Sequence, residues 1–352
     1  MDHIDFLHGG NMYKVKCKYK KDVIDFSANI NPLGLTHRVK KELIENWEWI
    51  LYYPDPESKD LIRRIARYWK IKEENILLGN GSSELIYLIV SVFGSERALI
   101  PAPTFSEYER AVRSIKSKIR FLILKEKEGF VFNATHSTKA DMLFICNPNN
   151  PTGNLLLKNQ RIENLHGKLI IIDEAFMDFL PDEKRHTFIW RATEDKKIIV
   201  LRTFTKFFAL PGLRIGYIVA HPDLIKFLKK ACSPWNINVF AQLLAEIMLS
   251  DKEYIRRTRE FIRKERDFLY NEIIKIKGLK PYPSVTNFLL VKIENKKISS
   301  SFLTRKLVQK GLLIRDCSNF RNLDDKYIRA AVRSRKENIK LIEALREILC
   351  KS

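Results

Sequence analysis

A chain of 352 residues, 45% hydrophobic and 11% aromatic, is long enough for a large core and for a second, smaller domain. Its 63 Lys+Arg against 42 Asp+Glu leave a net charge of +21. The basic residues are spread along the chain and not gathered in a tail, so anionic small molecules are the expected partners and nucleic acid a minor one. Cys17, Cys146, Cys232, Cys317 and Cys350 are odd in number, far apart and without Cys-x-x-Cys spacing. Neither a disulfide framework nor a metal site is expected. The longest apolar run, Leu85 to Phe93, is too short to span a bilayer, and the start of the chain has no apolar signal region. The simplest location is cytoplasmic.

Taken in order, residues 1–35 read as irregular and rich in Gly, Asn and Pro, ending in Asp25-Phe26-Ser27-Ala28-Asn29-Ile30-Asn31-Pro32-Leu33-Gly34. Helical patterns over 37–50 and 58–70 flank Tyr52-Tyr53-Pro54-Asp55-Pro56. Strand and helix signals then alternate. Strands are predicted at 76–78, 98–100, 119–124, 142–146, 169–172, 198–201 and 215–220, with helices from Ser83 and Ser106. That alternation predicts an α/β fold with a mostly parallel central sheet and helices on both faces. Residues 236–277 read as mainly helical. After Pro281 the pattern is α+β: strand 286–293, helix 299–310, strands 312–315 and 328–332, and a last helix from 335. The expected organisation is an N-terminal segment (1–35), a large domain (36–245) and a smaller C-terminal domain (246–352) that begins with a linking helix.

In an open α/β sheet, ligands bind beyond the carboxyl ends of the strands, and the polar clusters fall there. Gly79-Asn80-Gly81-Ser82-Ser83-Glu84 turns from a strand into a helix, where backbone N–H groups and hydroxyls can converge on a phosphate. It lacks the Gly-Lys-Ser/Thr of a P-loop. Asn147-Pro148-Asn149-Asn150-Pro151-Thr152-Gly153 and Asp173-Glu174 each follow a strand. The stretch Thr203-Phe-Thr-Lys206-Phe-Phe-Ala-Leu-Pro-Gly-Leu-Arg214-Ile-Gly216 carries the most chemistry. Lys206 is followed by Phe207, Phe208 and Leu210, and a lysine desolvated there becomes a competent imine-forming amine. Arg214, Thr203 and Thr205 can grip a phosphate. An imine-forming lysine beside a phosphate cradle points to pyridoxal 5′-phosphate, and an anion such as Asp173 is needed to keep its ring nitrogen protonated. Taken alone, the Thr-Lys pair reads better as a surface lysine at a loop start and the 25–34 run as a turn, while the Gly-rich turn serves as well for capping as for phosphate.

Together, the segments resemble the aminotransferase class I/II family of fold-type I pyridoxal-phosphate enzymes over nearly the whole chain. The motifs Tyr53-Pro-Asp-Pro, Gly79-Asn-Gly-Ser-Ser-Glu, Pro103-Thr-Phe, Asn149-Asn-Pro-Thr-Gly, Asp173-Glu-Ala-Phe and Thr205-Lys with Arg214 occur in the family's order and spacing. The resemblance implies Lys206 as the Schiff-base lysine, Asp173 as the pyridinium partner, Asn150 on the ring oxygen and Phe105 stacked on the ring. It implies a phosphate held by Gly81, Ser82, Ser83, Thr203, Thr205 and Arg214. Tyr53 would reach that phosphate from a neighbouring subunit, so a homodimer with shared sites is implied. Where many relatives have a tyrosine three residues beyond the aspartate, this chain has Phe176.

Within the family, two branches fit, the threonine-phosphate decarboxylases of cobalamin biosynthesis and the histidinol-phosphate aminotransferases. His8-Gly9-Gly10-Asn11, the Asp25–Gly34 run, Ser233-Pro-Trp-Asn-Ile-Asn238 and Leu313-Ile-Arg-Asp-Cys-Ser-Asn-Phe320 resemble the decarboxylase more. The expected substrate is a phosphorylated amino acid with two anions. Arg315 and Arg329, at the ends of small-domain strands, can take one each, with His8 and the Gly9 N–H beside the phosphate and Arg329 on the carboxylate. Asn31 and Asn150 are expected to add substrate contacts. Arg333 is a third anion contact or, the favoured reading, a salt-bridge partner. A catalytically idle dimer on the same fold is the remote alternative.

Overall fold

The computed structural model describes residues 9–19, 22–132, 140–158 and 167–350. The chain starts with helix α1 (Met12–Tyr19), strand β1 (Ile24–Asp25), α2 (His37–Glu45), a 3-10 turn (Trp47–Leu51) and α3 (Lys59–Trp69). Strand β2 (Ile76–Gly79) runs into α4 (Ser82–Phe93), β3 (Arg97–Ala102) runs into α5 (Glu107–Ser114), and β4 (Lys118–Ile123) follows. Then come β5 (Ala140–Cys146), β6 (Gly167–Asp173), α6 (Glu183–His186), α7 (Ile189–Glu194), β7 (Ile198–Thr203) and β8 (Gly216–Ala220). Helices α8 (Pro222–Lys229), α9 (Val239–Ser250) and α10 (Lys252–Ile273) lead to β9 (Leu279–Pro281) and β10 (Phe288–Ile293). The chain closes with α11 (Ser300–Gln309), β11 (Leu312–Leu313), β12 (Arg315–Asp316), β13 (Tyr327–Ala331) and α12 (Arg335–Cys350).

The central sheet has seven strands in the order β2-β8-β7-β6-β5-β3-β4. Its strands are near-continuous apolar runs because both faces are covered. Along β7, Ile198 and Val200 pack into one core and Ile199 and Leu201 into the other. The parallel expectation holds across β7, β6, β5, β3 and β4, while β8 runs antiparallel to both of its neighbours. That reversal sets Thr203 opposite Gly216, so both ends of the loop carrying Lys206 meet at one strand edge.

A smaller antiparallel sheet, β12-β13-β10-β9, forms the C-terminal domain. The N-terminal segment is less irregular than its composition predicts. Val15 of α1 is buried against Val308 and Leu313, and β1 pairs parallel with β11. The run expected as one strand over 312–315 is two, β11 serving β1 and β12 serving β13. The helical stretch 236–277 breaks at Asp251, whose carboxylate caps α10 by accepting from the Tyr254 N–H at 2.9 Å. On the N-terminal side α9 packs on α2 and α3, and on the C-terminal side α10 packs on α12.

Beneath the site lies a buried ionic cluster. Arg202 of β7, 1% exposed, stands 3.3 Å from Glu174, 3.3 Å from Asp178 and 3.2 Å from Glu183, with the Trp69 ring 4.6 Å away on its face. It ties β7 to the segment that follows Asp173. Arg202→Met leaves three buried carboxylates without their shared cation and should cost about 3–5 kcal/mol of stability. Urea unfolding measures this. A loss below about 1 kcal/mol would mean that the carboxylates do not depend on that cation.

Candidate active site

A cavity of about 360 Å³ opens beyond the carboxyl ends of β5, β6 and β7 and is roofed by β12 and β13. Lys206 reaches it from the β7–β8 loop, whose backbone is held where the Lys206 carbonyl accepts from the Asn31 N–H at 3.0 Å. Burial, with the nearby charges of Arg329 and Arg214, lowers the Lys206 ammonium from its ordinary 10.5 to about 8. Asp173 ends β6 and is 3% exposed. One carboxylate oxygen accepts from the Ala175 N–H at 3.0 Å and the other from the Tyr108 hydroxyl at 2.6 Å. Burial pushes its carboxyl up, against the Tyr108 and Ala175 bonds and the Lys206 charge, which favour the ionised form.

Across the cavity, α4 begins at Ser82, after Gly81, and Ser82, Ser83, Thr203, Thr205 and Arg214 line one wall. Gly81 has φ +86, and a Cβ there would lie 2.5 Å from an Arg214 guanidinium nitrogen. Only glycine lets that guanidinium approach the helix N-terminus. The Thr203 hydroxyl donates to the Thr205 hydroxyl at 2.8 Å and accepts from the Thr205 N–H at 3.1 Å, fixing both threonines at the wall. A helix N-terminus, four hydroxyls and a guanidinium on one concave wall fit a phosphate group. Phe105 lines the cavity with its ring edge-on to Tyr108, at 5.7 Å.

The small domain supplies two arginines. Arg315 and Arg329 are cross-strand partners in β12 and β13, 4% and 6% exposed, and both line the cavity. Like charges set directly opposite in a sheet repel, more so when buried, and an anion between them relieves the repulsion. Arg329 donates to the Asn150 carbonyl oxygen and, at 2.8 Å, to the Ser27 backbone carbonyl. Its buried Nε has no partner among the described residues. Burial lowers the Arg329 guanidinium to about 10. Arg315 donates to the Asn319 side chain at 2.7 Å and lies 5.3 Å over the Phe320 ring.

The expected residues therefore converge, with three qualifications. His8 lies outside the described residues. Asn31 is corrected: its buried amide donates to the Phe207 carbonyl, the Tyr254 hydroxyl and the Thr258 hydroxyl at 2.8–2.9 Å, and its oxygen accepts from the Leu33 N–H. That network holds the start of the lysine loop and leaves Asn31 with no face on the cavity. Asn29, two residues earlier, does line the cavity, and its buried Oδ1 has no partner among the described residues. Tyr53, 81% exposed and 5.1 Å from the Trp235 ring, does not line the cavity of its own chain.

Gly9 does line it, and a Cβ there would fall 2.0 Å from the Ser27 carbonyl oxygen. Arg333 pairs with Glu337 at 2.9 Å and donates to the Asp25 carbonyl at 3.1 Å, the structural role favoured for it. Phe176 lines the cavity with no hydroxyl to offer, its ring edge-on to Phe288 at 5.0 Å. Sequence reasoning passed over Tyr108, which belongs to no marked motif, and gave no role to Asn29 or Phe320, which lie within the Asp25–Gly34 and Leu313–Phe320 runs. An aromatic three residues beyond Phe105 on α5 was the available signal for Tyr108.

Such a lysine, carboxylate and cradle at the strand ends of an α/β sheet define an enzyme that holds an aldehyde cofactor through an imine. The chain belongs to the aminotransferase class I and II family, whose model matches residues 21–345, and pyridoxal 5′-phosphate is the family's cofactor. The threonine-phosphate decarboxylase of Salmonella typhimurium is 37% identical over 356 residues, covering 97% of this chain and 96% of that one. The solved histidinol-phosphate aminotransferase of Clostridium acetobutylicum superposes with a TM-score of 0.84 at 32% identity, covering 93% of this chain and 99% of its own. The L-threonine-O-3-phosphate decarboxylase structure from Porphyromonas gingivalis gives 0.81 at 28% identity, with the same coverages.

Because the Lys206 ammonium titrates near 8, its free-amine fraction rises around that pH and not around 10.5. The rate at which cofactor-free protein takes up pyridoxal phosphate, followed by absorbance, should climb with pH and level off above about 8. A rate still rising at the ordinary lysine value would mean the amine is not desolvated.

Proposed function

We propose that the enzyme decarboxylates L-threonine O-3-phosphate to (R)-1-amino-2-propanol O-2-phosphate, the side-arm precursor in cobalamin biosynthesis. The observation that carries this reading is the buried cross-strand pair Arg315 and Arg329, which calls for a substrate with two anions. The relative from Salmonella typhimurium supports the same reading. Pyridoxal 5′-phosphate, when bound, supplies an electron sink for the bond that breaks.

The chain's own residues do the rest. Asp173 holds the ring nitrogen's proton, and the α4 N-terminus with Arg214 and the two threonines binds the cofactor phosphate. Asn150 and Phe105 are assigned to the ring oxygen and the ring face. Arg329 takes the substrate carboxylate with its unpaired Nε, and its bonds to Asn150 and Ser27 fix the direction in which that carboxylate points. Arg315 takes the phosphate, with the Gly9 N–H beside it. Lys206, whose ammonium gives up its proton near pH 8, moves the proton at the substrate's α-carbon. Phe176, backed by the buried Phe288 ring, gives the carboxylate's side an apolar wall, suited to a product that leaves uncharged.

The alternative is transamination of histidinol phosphate, which carries no carboxylate. The deciding experiment incubates the enzyme with threonine phosphate and, separately, with histidinol phosphate plus 2-oxoglutarate, scoring CO₂ against glutamate. CO₂ from threonine phosphate, with the cofactor returned to its aldehyde form, is expected. Glutamate formed without CO₂ would establish the aminotransferase. Arg329→Ala and Arg315→Ala should each cost about 2–5 kcal/mol in kcat/KM for threonine phosphate, Arg329 acting more on kcat. Wild-type kinetics in either variant would remove that arginine from the substrate site.

A cytoplasmic homodimer with shared sites completes the proposal. Trp47, Ile50, Leu51, Tyr52 and Tyr53 expose a contiguous apolar stretch that a second subunit would cover, carrying Tyr53 to the neighbour's phosphate. No helix among the described residues is long and apolar enough to cross a membrane. If sites are shared, mixing an inactive Lys206→Ala protein with a Tyr53→Ala protein should restore part of the activity through hybrid dimers. No recovery after subunit exchange would place Tyr53 outside the site.

A further inference from the structure

We propose that Arg321 and Glu109 form a latch between the two domains that positions Arg315 for substrate; the proposal rests on the reading of Arg315 as a substrate arginine. The segment joining β12 to β13 has two functions along a few residues. Its inner part serves Arg315: Asn319 accepts from the guanidinium at 2.7 Å and Phe320 lies beneath it, at 5.3 Å. Its outer part grips the large domain. Arg321 forks onto Glu109 of α5 through two nitrogens, at 2.8 and 3.3 Å, and its guanidinium lies 3.9 Å over the Phe121 ring of β4. Next to it, the Asn322 amide donates to the Leu124 carbonyl at 3.3 Å.

The anchor is a firm one. Glu109 sits on α5 beside Tyr108, which bonds Asp173, and Glu107 and Arg110 of that helix, with Ser106 just before it, line the main cavity. It is also held by Arg113, one turn on, at 2.7 Å. Arg321 is thus the side of the pair that can let go. The contrast is with Glu126, just beyond β4, which receives Lys292 at 2.7 Å, the Tyr327 hydroxyl at 2.8 Å and the Tyr282 hydroxyl. Three donors on one carboxylate make a fixed dock at the base of β13. The Arg321–Glu109 pair, with side chains 45% and 22% exposed, is partly screened by solvent and releasable.

The pair also borders a second cavity of about 350 Å³, between α5 and the 315–323 segment, that shares Phe105 and Arg315 with the main one. With the latch made, Asn319 and Phe320 hold Arg315 toward the cofactor. With it released, the segment that holds Arg315 loses its outer support.

The test uses cofactor-loaded enzyme carrying Arg321→Met, which keeps an apolar stem on Phe121 and removes the fork. Amides of 317–323 should exchange with deuterium faster than in the wild type, with little change elsewhere. KM for threonine phosphate should rise roughly tenfold while kcat changes less than about twofold, a split that general destabilisation would not give. Arg321→Lys should recover part of the loss. Glu109→Gln should match Arg321→Met, and the double variant should be no worse than either single one. Unchanged exchange and KM in Arg321→Met would overturn the latch. An Arg315→Ala enzyme with unchanged KM would instead refute the substrate reading of Arg315, while the exchange measurement still decides whether the latch exists.

Discussion

Positive charge converging on one cavity is the constraint on which this structure turns. Lys206, Arg214, Arg315 and Arg329 all face one cavity. Asp173 is the carboxylate that opposes them on the floor, and it is itself buried and held by Tyr108 and Ala175. Burial first, and then the neighbouring cations, lower their proton affinity, so Lys206 falls to about 8 and Arg329 to about 10. The cost of assembling them is offset when anions arrive; a cofactor phosphate brings one, and on the proposed reading a doubly anionic substrate brings two more. The excess charge of the whole chain is a separate matter, since most of its 63 basic residues lie elsewhere.

The fold makes that convergence possible by a local exception to its own rule. Parallel strands deliver Asp173 and the Asn150 loop to one end of the sheet, and β8 then reverses so that Gly216 faces Thr203. A Cβ at Gly216 would lie 2.8 Å from the Arg202 carbonyl and 3.0 Å from the Ser82 N. The missing side chain lets the lysine loop, the phosphate-facing helix and β7 close on one point. On the far side, Arg202 fastens the same strand to Glu174, Asp178 and Glu183, so the floor of the site is pinned from both faces.

How much of this was legible in the sequence depended on the range of the interactions. Apolar strand runs, the glycine-serine turn and the Thr-Lys stretch are local signals, and each lies where its pattern predicts. The split of 312–315 into β11 and β12 was not legible, because it depends on partners hundreds of residues away in β1 and nearby in β13. The same holds for Asn29 and Asn31. They sit two apart in one polar run, and only the packing of Tyr254 and Thr258 from α10 decides which amide is consumed internally. Tyr108 was missed because a tyrosine inside an amphipathic helix looks like core until its hydroxyl is found on Asp173. The break at Asp251 did carry a local signal, since an aspartate three residues before Tyr254 is an N-cap pattern.

Lysine, aspartate and phosphate cradle are common to reactions that break different bonds, so they cannot choose among them. The choice falls to whatever fixes the substrate's carboxylate, and on the proposed reading that is Arg329. Its guanidinium is tied to Asn150 on the large domain and to the Ser27 carbonyl of the N-terminal segment, while its own strand belongs to the small sheet. Three parts of the chain, far apart in sequence, must therefore be in register before one bond can be aimed. A device of that kind is invisible to any single motif, and it gives the N-terminal segment a reason to be ordered. Gly9 can pack against Ser27 only because it lacks a side chain, and Ser27 in turn both accepts from Gly10 and steers the arginine. Bond selection in this enzyme, on that argument, is a property of the N-terminal segment and the small domain, and chemistry in general is a property of the large one.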